Sequence, residues 1–312
     1  MKILVLGAGA TGGYFGGRLA QAGVDVTFLV REKRAAQLAA DGLVVKSPHG
    51  DFTVRVRCVR QSEVRPEYDV VLLTCKAYDL DAAIESIRPA IGPAAHLLPL
   101  LNGLAHLDRL DAELGAPRVL GGTCHIAGHM TPAGEIRQLT PLQRIAYGLR
   151  PSTSPDARAK LEALHAAYQR TAIDAVLADD IMLELWEKYV LLTTLATMTC
   201  LMRASVGDIM ATNDGEALMD ETLQACVRTA AAAGHPPRER ALAGARKMLF
   251  ERGSGFTASM LRDMEGGQRT EADHIVGDML KRARAAGVEP GPLRAAYAHL
   301  QAYQVRRKGE GG

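Results

Sequence analysis

The chain of 312 residues lacks a long uncharged apolar run, a cluster of charge of one sign and a cysteine pairing pattern. The apolar stretch after Lys188 falls short of the ~18 residues that mark a membrane span, so no membrane anchor is expected. Lys and Arg are scattered and the formal net charge is +2, which removes the basic footprint of a nucleic-acid binder. The five cysteines (Cys58, Cys75, Cys124, Cys200, Cys226) form no C-x-x-C pair and no Cys/His spacing suited to zinc. An odd, sparse set suits a reduced compartment rather than a disulfide framework. His125 and His129 have no third ligand near them and read as structural or surface residues, so no metal is expected. With a first strand expected to begin at Lys2, no signal peptide and a cytoplasmic location are expected. No internal repeat or low-complexity block appears. What remains is a protein of about two domains at ~150 residues each.

The first half reads as a nucleotide-binding sheet. In "MKILVLGAGATGGYFGGRLAQAG" an apolar strand, Ile3 to Leu6, runs into Gly7, Ala8, Gly9, Ala10, Thr11 and Gly12, and a helical pattern continues to Gly23. The glycines of G-x-G-x-x-G give a tight turn, room for a pyrophosphate at the backbone and close helix–strand packing. The helix N–H groups then face the phosphates. A second strand, "VDVTFLV", ends at Val30 and is followed by Arg31, Glu32, Lys33 and Arg34. Dinucleotide sites for NAD place a carboxylate here, whereas Arg suits a 2′-phosphate, so Arg31 favours NADPH. The same charges also suit the surface start of a helix. Further strands are expected at Tyr68–Cys75, Ala95–Asn102 and 118–127, with a helix in "LDAAIESIRPAI", as in a doubly wound parallel sheet. Lys76 and Asn102 stand at strand carboxyl ends, the ligand edge of such a sheet, although Asn102–Gly103 is also a common turn pair. "GHMTPAGEIRQLTPLQRIAYGL" predicts a hairpin extending the sheet edge in antiparallel fashion, and a helix at 156–170 and a strand "AIDAVLA" close a domain at 1–177.

The second half, 178–312, is helical, with a disordered tail "RRKGEGG". "WEKYVLLTTLATMTCLM" carries Lys188 and then no other charge through Met202. Burying an unpaired ammonium is costly, so this lysine either snorkels to water or points into a site that uses its proton. Lys188, Leu192, Leu195, Ala196 and Thr199 share one helix face. Helices are also expected through "DGEALMDETLQACVRTAAAAG", over 271–286 and over 292–303, the helix over 271–286 opening near Arg269 after a flexible Gly/Ser loop. Glu271 falls in the first turn of the helix over 271–286, where the helix dipole alone favours a carboxylate.

The segments "KILVLGAGATGGYFGGRLAQAG", "LLTCKAYD", "LLNGL", "WEKYVLL" and "TASMLRDMEGGQRTEADHIVGDMLKRARAAGV" together resemble the ketopantoate reductase (2-dehydropantoate 2-reductase) family in order and spacing. The resemblance implies an α/β Rossmann-type domain followed by an all-helical one, with the substrate in the cleft of the two domains. It also implies that NADPH reduces a 2-oxo acid, a small-molecule substrate, in pantothenate biosynthesis. Carried over by motif, Lys188 matches the catalytic lysine, Glu271 the active-site glutamate and Ser259 the serine that holds the substrate carboxylate. Asn102 matches the cleft asparagine, and Arg31 and Lys76 match basic residues at the NADPH ribose phosphate. The helical half is also a candidate surface for a homodimer.

One feature departs from the family. Four and eight residues after the lysine, where asparagines are usual, stand Leu192 and Ala196. Neither can hydrogen-bond a hydroxylated substrate, which favours a more apolar 2-oxo acid as an alternative to ketopantoate. A non-catalytic NADPH-binding regulator is the alternative from another class, and it needs neither Lys188 nor Glu271.

Overall fold

The computed structural model describes residues 1–309. The chain folds as two compact units, one of Met1–Leu101 with Leu107–Ile181, the other of Asn102–His106 with the chain from Met182 onward. The first is the α/β unit and the second is helical, as the sequence predicts.

In the α/β unit the elements run β1 (Lys2–Leu6), α1 (Ala10–Gln21), β2 (Asp25–Leu29), α2 (Glu32–Asp41), β3 (Leu43–Lys46), β4 (Phe52–Val54) and β5 (Arg57–Val59). They continue with β6 (Val70–Leu73), α3 (Leu80–Ile87), β7 (His96–Pro99), α4 (Ala105–Leu110), β8 (Gly121–Met130), β9 (Ile136–Gly148), α5 (Ala157–Tyr168) and β10 (Asp174–Leu177). A parallel sheet has the order β5-β2-β1-β6-β7. Its centre is β1, where Ile3, Leu4 and Val5 are wholly buried, the uniform burial expected of a strand covered on both faces. Each such side chain contributes roughly 1.5–3 kcal/mol through burial.

A second sheet has the order β10-β9-β3-β4, with β8 paired to β9. Here the structure corrects the sequence. The β8–β9 hairpin is antiparallel as expected, but it does not extend the edge of the first sheet. Instead β9 takes β3 and β10 as parallel neighbours, leaving only an isolated bridge, Leu97 to Val119, toward the first sheet. Helix α1 lies against both sheets through its small residues. A Cβ on Gly16 would sit 2.9 Å from Val5 of the first sheet, and one on Gly13 would sit 2.2 Å from Ile136 of the second.

The helical unit contains α6 (Ile181–Met202), α7 (Val206–Met210), α8 (Gly215–Ala232), α9 (Glu239–Leu249), α10 (Ser259–Glu265), α11 (Asp278–Ala285) and α12 (Leu293–Gly309). Helix α6 stops where Arg203 turns into the left-handed region, at φ 52°, and the Ala204 N–H closes onto the Thr199 carbonyl at 3.2 Å. The regular helix expected over 271–286 is interrupted. Asp273–Gly277 forms a wider π-helical turn before α11 begins. The tail differs as well, because α12 continues as helix through Arg306, Arg307, Lys308 and Gly309; the rest of the expected disordered segment lies outside the described residues.

Candidate active site

In the α/β unit the glycine-rich turn is built by backbone geometry. Gly7 stands at φ 89°, a conformation side-chain-bearing residues rarely adopt, and its N–H donates to Leu29 O of the neighbouring strand at 2.9 Å. A Cβ on Gly12 would lie 2.3 Å from Thr74 Oγ1 and 2.5 Å from Gly7 O, so no larger residue fits without moving the turn. Gly9, the residue that caps α1, differs. A Cβ there would meet nothing within 4 Å, leaving open space ahead of the helix start. No side chain caps α1 and no carboxylate lies in its first turn. Its first N–H groups have no acceptor within the helix, and the dipole favours an anion there. A dinucleotide pyrophosphate fits this cradle.

The basic residues flank the turn through strand register. Leu6 pairs with Leu29 on one side and with Leu73 on the other. Arg31, two residues past Leu29, is exposed and precedes α2. Lys76, three past Leu73, is half-buried and precedes a short 3₁₀ turn. Both therefore lie on strands adjacent to the one that ends in the glycine turn, at the same sheet edge. Arg34 contributes a link the sequence reading passed over. Its Nε donates to Ala8 O at 3.1 Å and its Nη1 to Gly134 O at 2.9 Å, tying the glycine turn to the hairpin tip. Burial holds this guanidinium below its ordinary pKa.

In the helical unit three separate segments converge. Lys188 Nζ, half-buried, donates to Asn102 Oδ1 at 3.2 Å across 86 positions of sequence. The residue after each of these two meets the turn that follows Glu271. Gly103, at φ 80°, approaches so closely that a Cβ would sit 2.6 Å from His274 O. The hydroxyl of Tyr189, fully buried, lies 2.8 Å from Ile275 O and 2.9 Å from Asp278 Oδ2, its single proton shared by the two acceptors. Glu271 is itself buried at 4% exposure, and its carbonyl accepts the His274 and Ile275 N–H groups, each at 3.1 Å. Asn102, Lys188 and the Glu271 turn are thus assembled together.

Ser259 is attached further along α6. Ala258 N–H donates to Thr199 Oγ1 at 3.4 Å, and Ser259, half-buried, starts α10 at that point. Thr199 is eleven residues past Lys188, about 16 Å along the helix axis. Of the apolar pair that replaces the family's asparagines, Leu192 is half-buried whereas Ala196 is completely covered. Leu192 is therefore the position with a surface to offer. In the turn that leads into the lysine, Glu184 and Glu187 are taken up by Arg238, whose Nε donates to Glu187 Oε1 at 2.7 Å. Hydrogen bonds donated to Glu187 and then to Glu184 hold that guanidinium well above its ordinary pKa. Among the described residues no group of three or more His, Cys, Asp or Glu is placed to hold a metal ion, and no helix is long and apolar enough to cross a membrane.

The sequence matches the family described as ketopantoate reductase PanE/ApbA over residues 3–152, and that family's C-terminal domain over residues 180–304. An uncharacterized oxidoreductase of Bacillus subtilis (strain 168), YkpB, is 33% identical over 98% of this chain and 100% of its own. The solved 2-dehydropantoate 2-reductase of Geobacter metallireducens GS-15 is 27% identical, with a TM-score of 0.86 over 97% of this chain and 99% of its own. A D-mandelate dehydrogenase in ternary complex with NADH and anilino(oxo)acetate shares the fold, with a TM-score of 0.85 at 19% identity over 99% of this chain and 100% of its own.

Proposed function

The chain belongs to the ketopantoate reductase PanE/ApbA family of NAD(P)-dependent oxidoreductases, and on that footing we propose that it reduces a 2-oxo acid to a 2-hydroxy acid with NADPH. The leading named substrate is 2-dehydropantoate, giving pantoate for pantothenate biosynthesis. The observation that carries the reading is the lysine two turns into α6, the last charge of that helix, bonded to Asn102 beside the Glu271 turn. An ammonium that is half-buried and fixed by an amide oxygen, in the cluster that includes the turn after Glu271, is equipped to hand over a proton.

NADPH, when bound at the glycine turn, supplies a hydride. The α/β unit's part is to hold it: first-turn N–H groups of α1 take the pyrophosphate, and Arg31 and Lys76 take the 2′-phosphate. The helical unit's part is the proton. As the C2–H bond forms, charge develops on the carbonyl oxygen, and Lys188 Nζ stabilises it by a hydrogen bond and then gives up its proton to make the hydroxyl. Asn102 Oδ1 fixes the direction of Nζ, and Glu271 orients the lysine or a substrate hydroxyl. Ser259 is assigned to the substrate carboxylate. The lysine is then reprotonated from solvent.

The half-buried Leu192 favours a second reading of the substrate, a 2-oxo acid with a more apolar tail, because leucine offers no partner to a substrate hydroxyl. The lysine's role is tested by steady-state NADPH oxidation in Lys188→Ala, with cofactor binding followed by fluorescence. Turnover falls by more than ~100-fold while NADPH affinity stays within twofold, the loss expected for a general acid. A variant that keeps its turnover makes Lys188 a snorkelling residue and removes it from the chemistry.

A further inference from the structure

Lys188 and Asn102 each precede a residue that grips the same short piece of chain. Gly103 packs on the carbonyl of His274, and Tyr189 hydrogen-bonds the carbonyl of Ile275, the next residue. Both carbonyls belong to the π-helical turn Asp273–Gly277, which starts two residues after Glu271. A π turn is wider than the α-helix on either side of it, and one of its carbonyls, Ile275 O, here takes a side-chain donor besides its backbone one. Here the donor is the Tyr189 phenol. Its ring is buried without any exposed surface, so the hydroxyl cannot turn to water.

The far side of the phenol is also fixed. Asp278 Oδ2 lies 2.9 Å from the Tyr189 hydroxyl and accepts Arg282 Nε at 2.7 Å, and the Arg282 guanidinium sits 5.7 Å above the Trp186 ring. Trp186 and Tyr189 are on the helix turn that carries Lys188. A closed path of contacts therefore runs from α6 to Asp278 and Arg282 and back to α6. Burial and the Asp278 carboxylate keep the phenol protonated far above its ordinary range, so it remains a donor at every working pH.

We infer that Tyr189 is a positioning residue for the reductase chemistry: its bond to the Ile275 carbonyl, backed by the Gly103 contact, sets the place of Glu271 and Asn102 relative to Lys188. The inference rests on the reading of Lys188 as the proton donor. It follows from the arrangement that one hydroxyl group, which touches neither cofactor nor substrate, controls how firmly Asn102 holds the ammonium. Loosening that hold removes a hydrogen bond that favours the charged lysine, so Lys188 titrates at lower pH when the phenol is lost.

The test is Tyr189→Phe in the full-length protein, which keeps the ring and deletes the hydroxyl. Titration of Lys188 is followed by NMR of [13C]lysine-labelled protein, with the Lys188 signal identified by Lys188→Arg. The expected result is a lower titration midpoint for Lys188 and an unchanged NADPH affinity. Where a 2-oxo acid is turned over, kcat falls on the order of tenfold, as a sub-ångström misplacement of a catalytic group produces, and its basic limb moves to lower pH. Gly103→Ala, which drives a methyl against His274 O, moves the midpoint in the same direction and serves if the phenylalanine variant folds poorly. A Lys188 midpoint that is unchanged in both folded variants overturns the inference, even if their melting temperatures drop. Wild-type protein that reduces no 2-oxo acid while Tyr189→Phe still shifts the midpoint overturns the proposed function and leaves the positioning role standing.

Discussion

The glycine turn of the α/β unit and the lysine cluster of the helical unit are built on opposite principles. The first works by removing side chains: Gly7 supplies a left-handed backbone, Gly12 leaves no room even for a methyl, and Gly9 leaves open space for an anion. All of it lies within six consecutive residues. The second works by collecting side chains from segments 86 positions apart and more, each held by a neighbour in sequence that grips one turn. A local device fails when a residue such as Gly12 is enlarged, since nothing around the turn can give way. An assembled device is spread over many contacts, so single substitutions tilt it without abolishing it. The teaching of the comparison is that cofactor binding and proton delivery have separate vulnerabilities.

Three substitutions break or sharpen that contrast. The largest effect is expected at Gly12→Ala. Its methyl would meet Thr74 Oγ1 and Gly7 O well inside contact distance, and shifting the turn by about 1 Å costs on the order of 100-fold in NADPH binding. Fluorescence titration reads the loss, and circular dichroism checks that the helical unit is unaffected. Next comes Leu192→Asn, the half-buried position on the lysine's face. A new hydrogen bond worth about 1 kcal/mol raises kcat/KM for a 2-oxo acid with a distal hydroxyl by roughly 5–10-fold relative to its deoxy analogue. No change in that ratio would mean the residue does not face substrate.

The smallest effect is a pH dependence confined to the α/β unit. His96 on β7 is buried, and desolvation, reinforced by Lys160, lowers its pKa against the weaker pull of Asp156 at 4.0 Å. A base with a lowered folded pKa binds fewer protons folded than unfolded, so stability rises with pH across that interval. The His96 contribution is therefore complete above its ordinary value near 6.5 and is lost as pH falls below it. Hydrogen exchange resolved by segment should show the parallel sheet opening more readily at pH 5.5 than at 7.5. His96→Gln should flatten that difference, leaving the helical unit's exchange as it was.

The same contrast explains what could be read in advance. The glycine turn, its flanking strands and the Lys188 segment of α6 were legible because their signals are local: six residues of motif, an apolar run, a lysine with no charge after it. Strands β3, β4 and β5 were not, since three or four residues carry too little pattern to stand out from a loop. The hairpin was legible but its sheet was not, because pairing of β9 with β3 depends on register between segments about ninety residues apart. Asn102–Gly103 looked like a turn and is one. What sequence does not show is that its glycine is demanded by His274 O as well. Tyr189 gave no signal at all, being an ordinary buried aromatic until the π turn is seen opposite it. Arg34 was hidden in a run of surface charges, and only the structure shows its hydrogen bond to Ala8 O.

The central claim, that this protein uses NADPH to reduce a 2-oxo acid, is tested most directly by initial rates of cofactor oxidation with the purified wild-type chain. The panel consists of 2-dehydropantoate and 2-oxo acids with smaller or more apolar tails, each run with NADPH and with NADH. The account predicts turnover of at least one 2-oxo acid, faster with NADPH than with NADH. The rank of 2-dehydropantoate against the apolar members then decides what Leu192 selects. Tight NADPH binding with no turnover of any 2-oxo acid would contradict it and favour a cofactor-binding regulator.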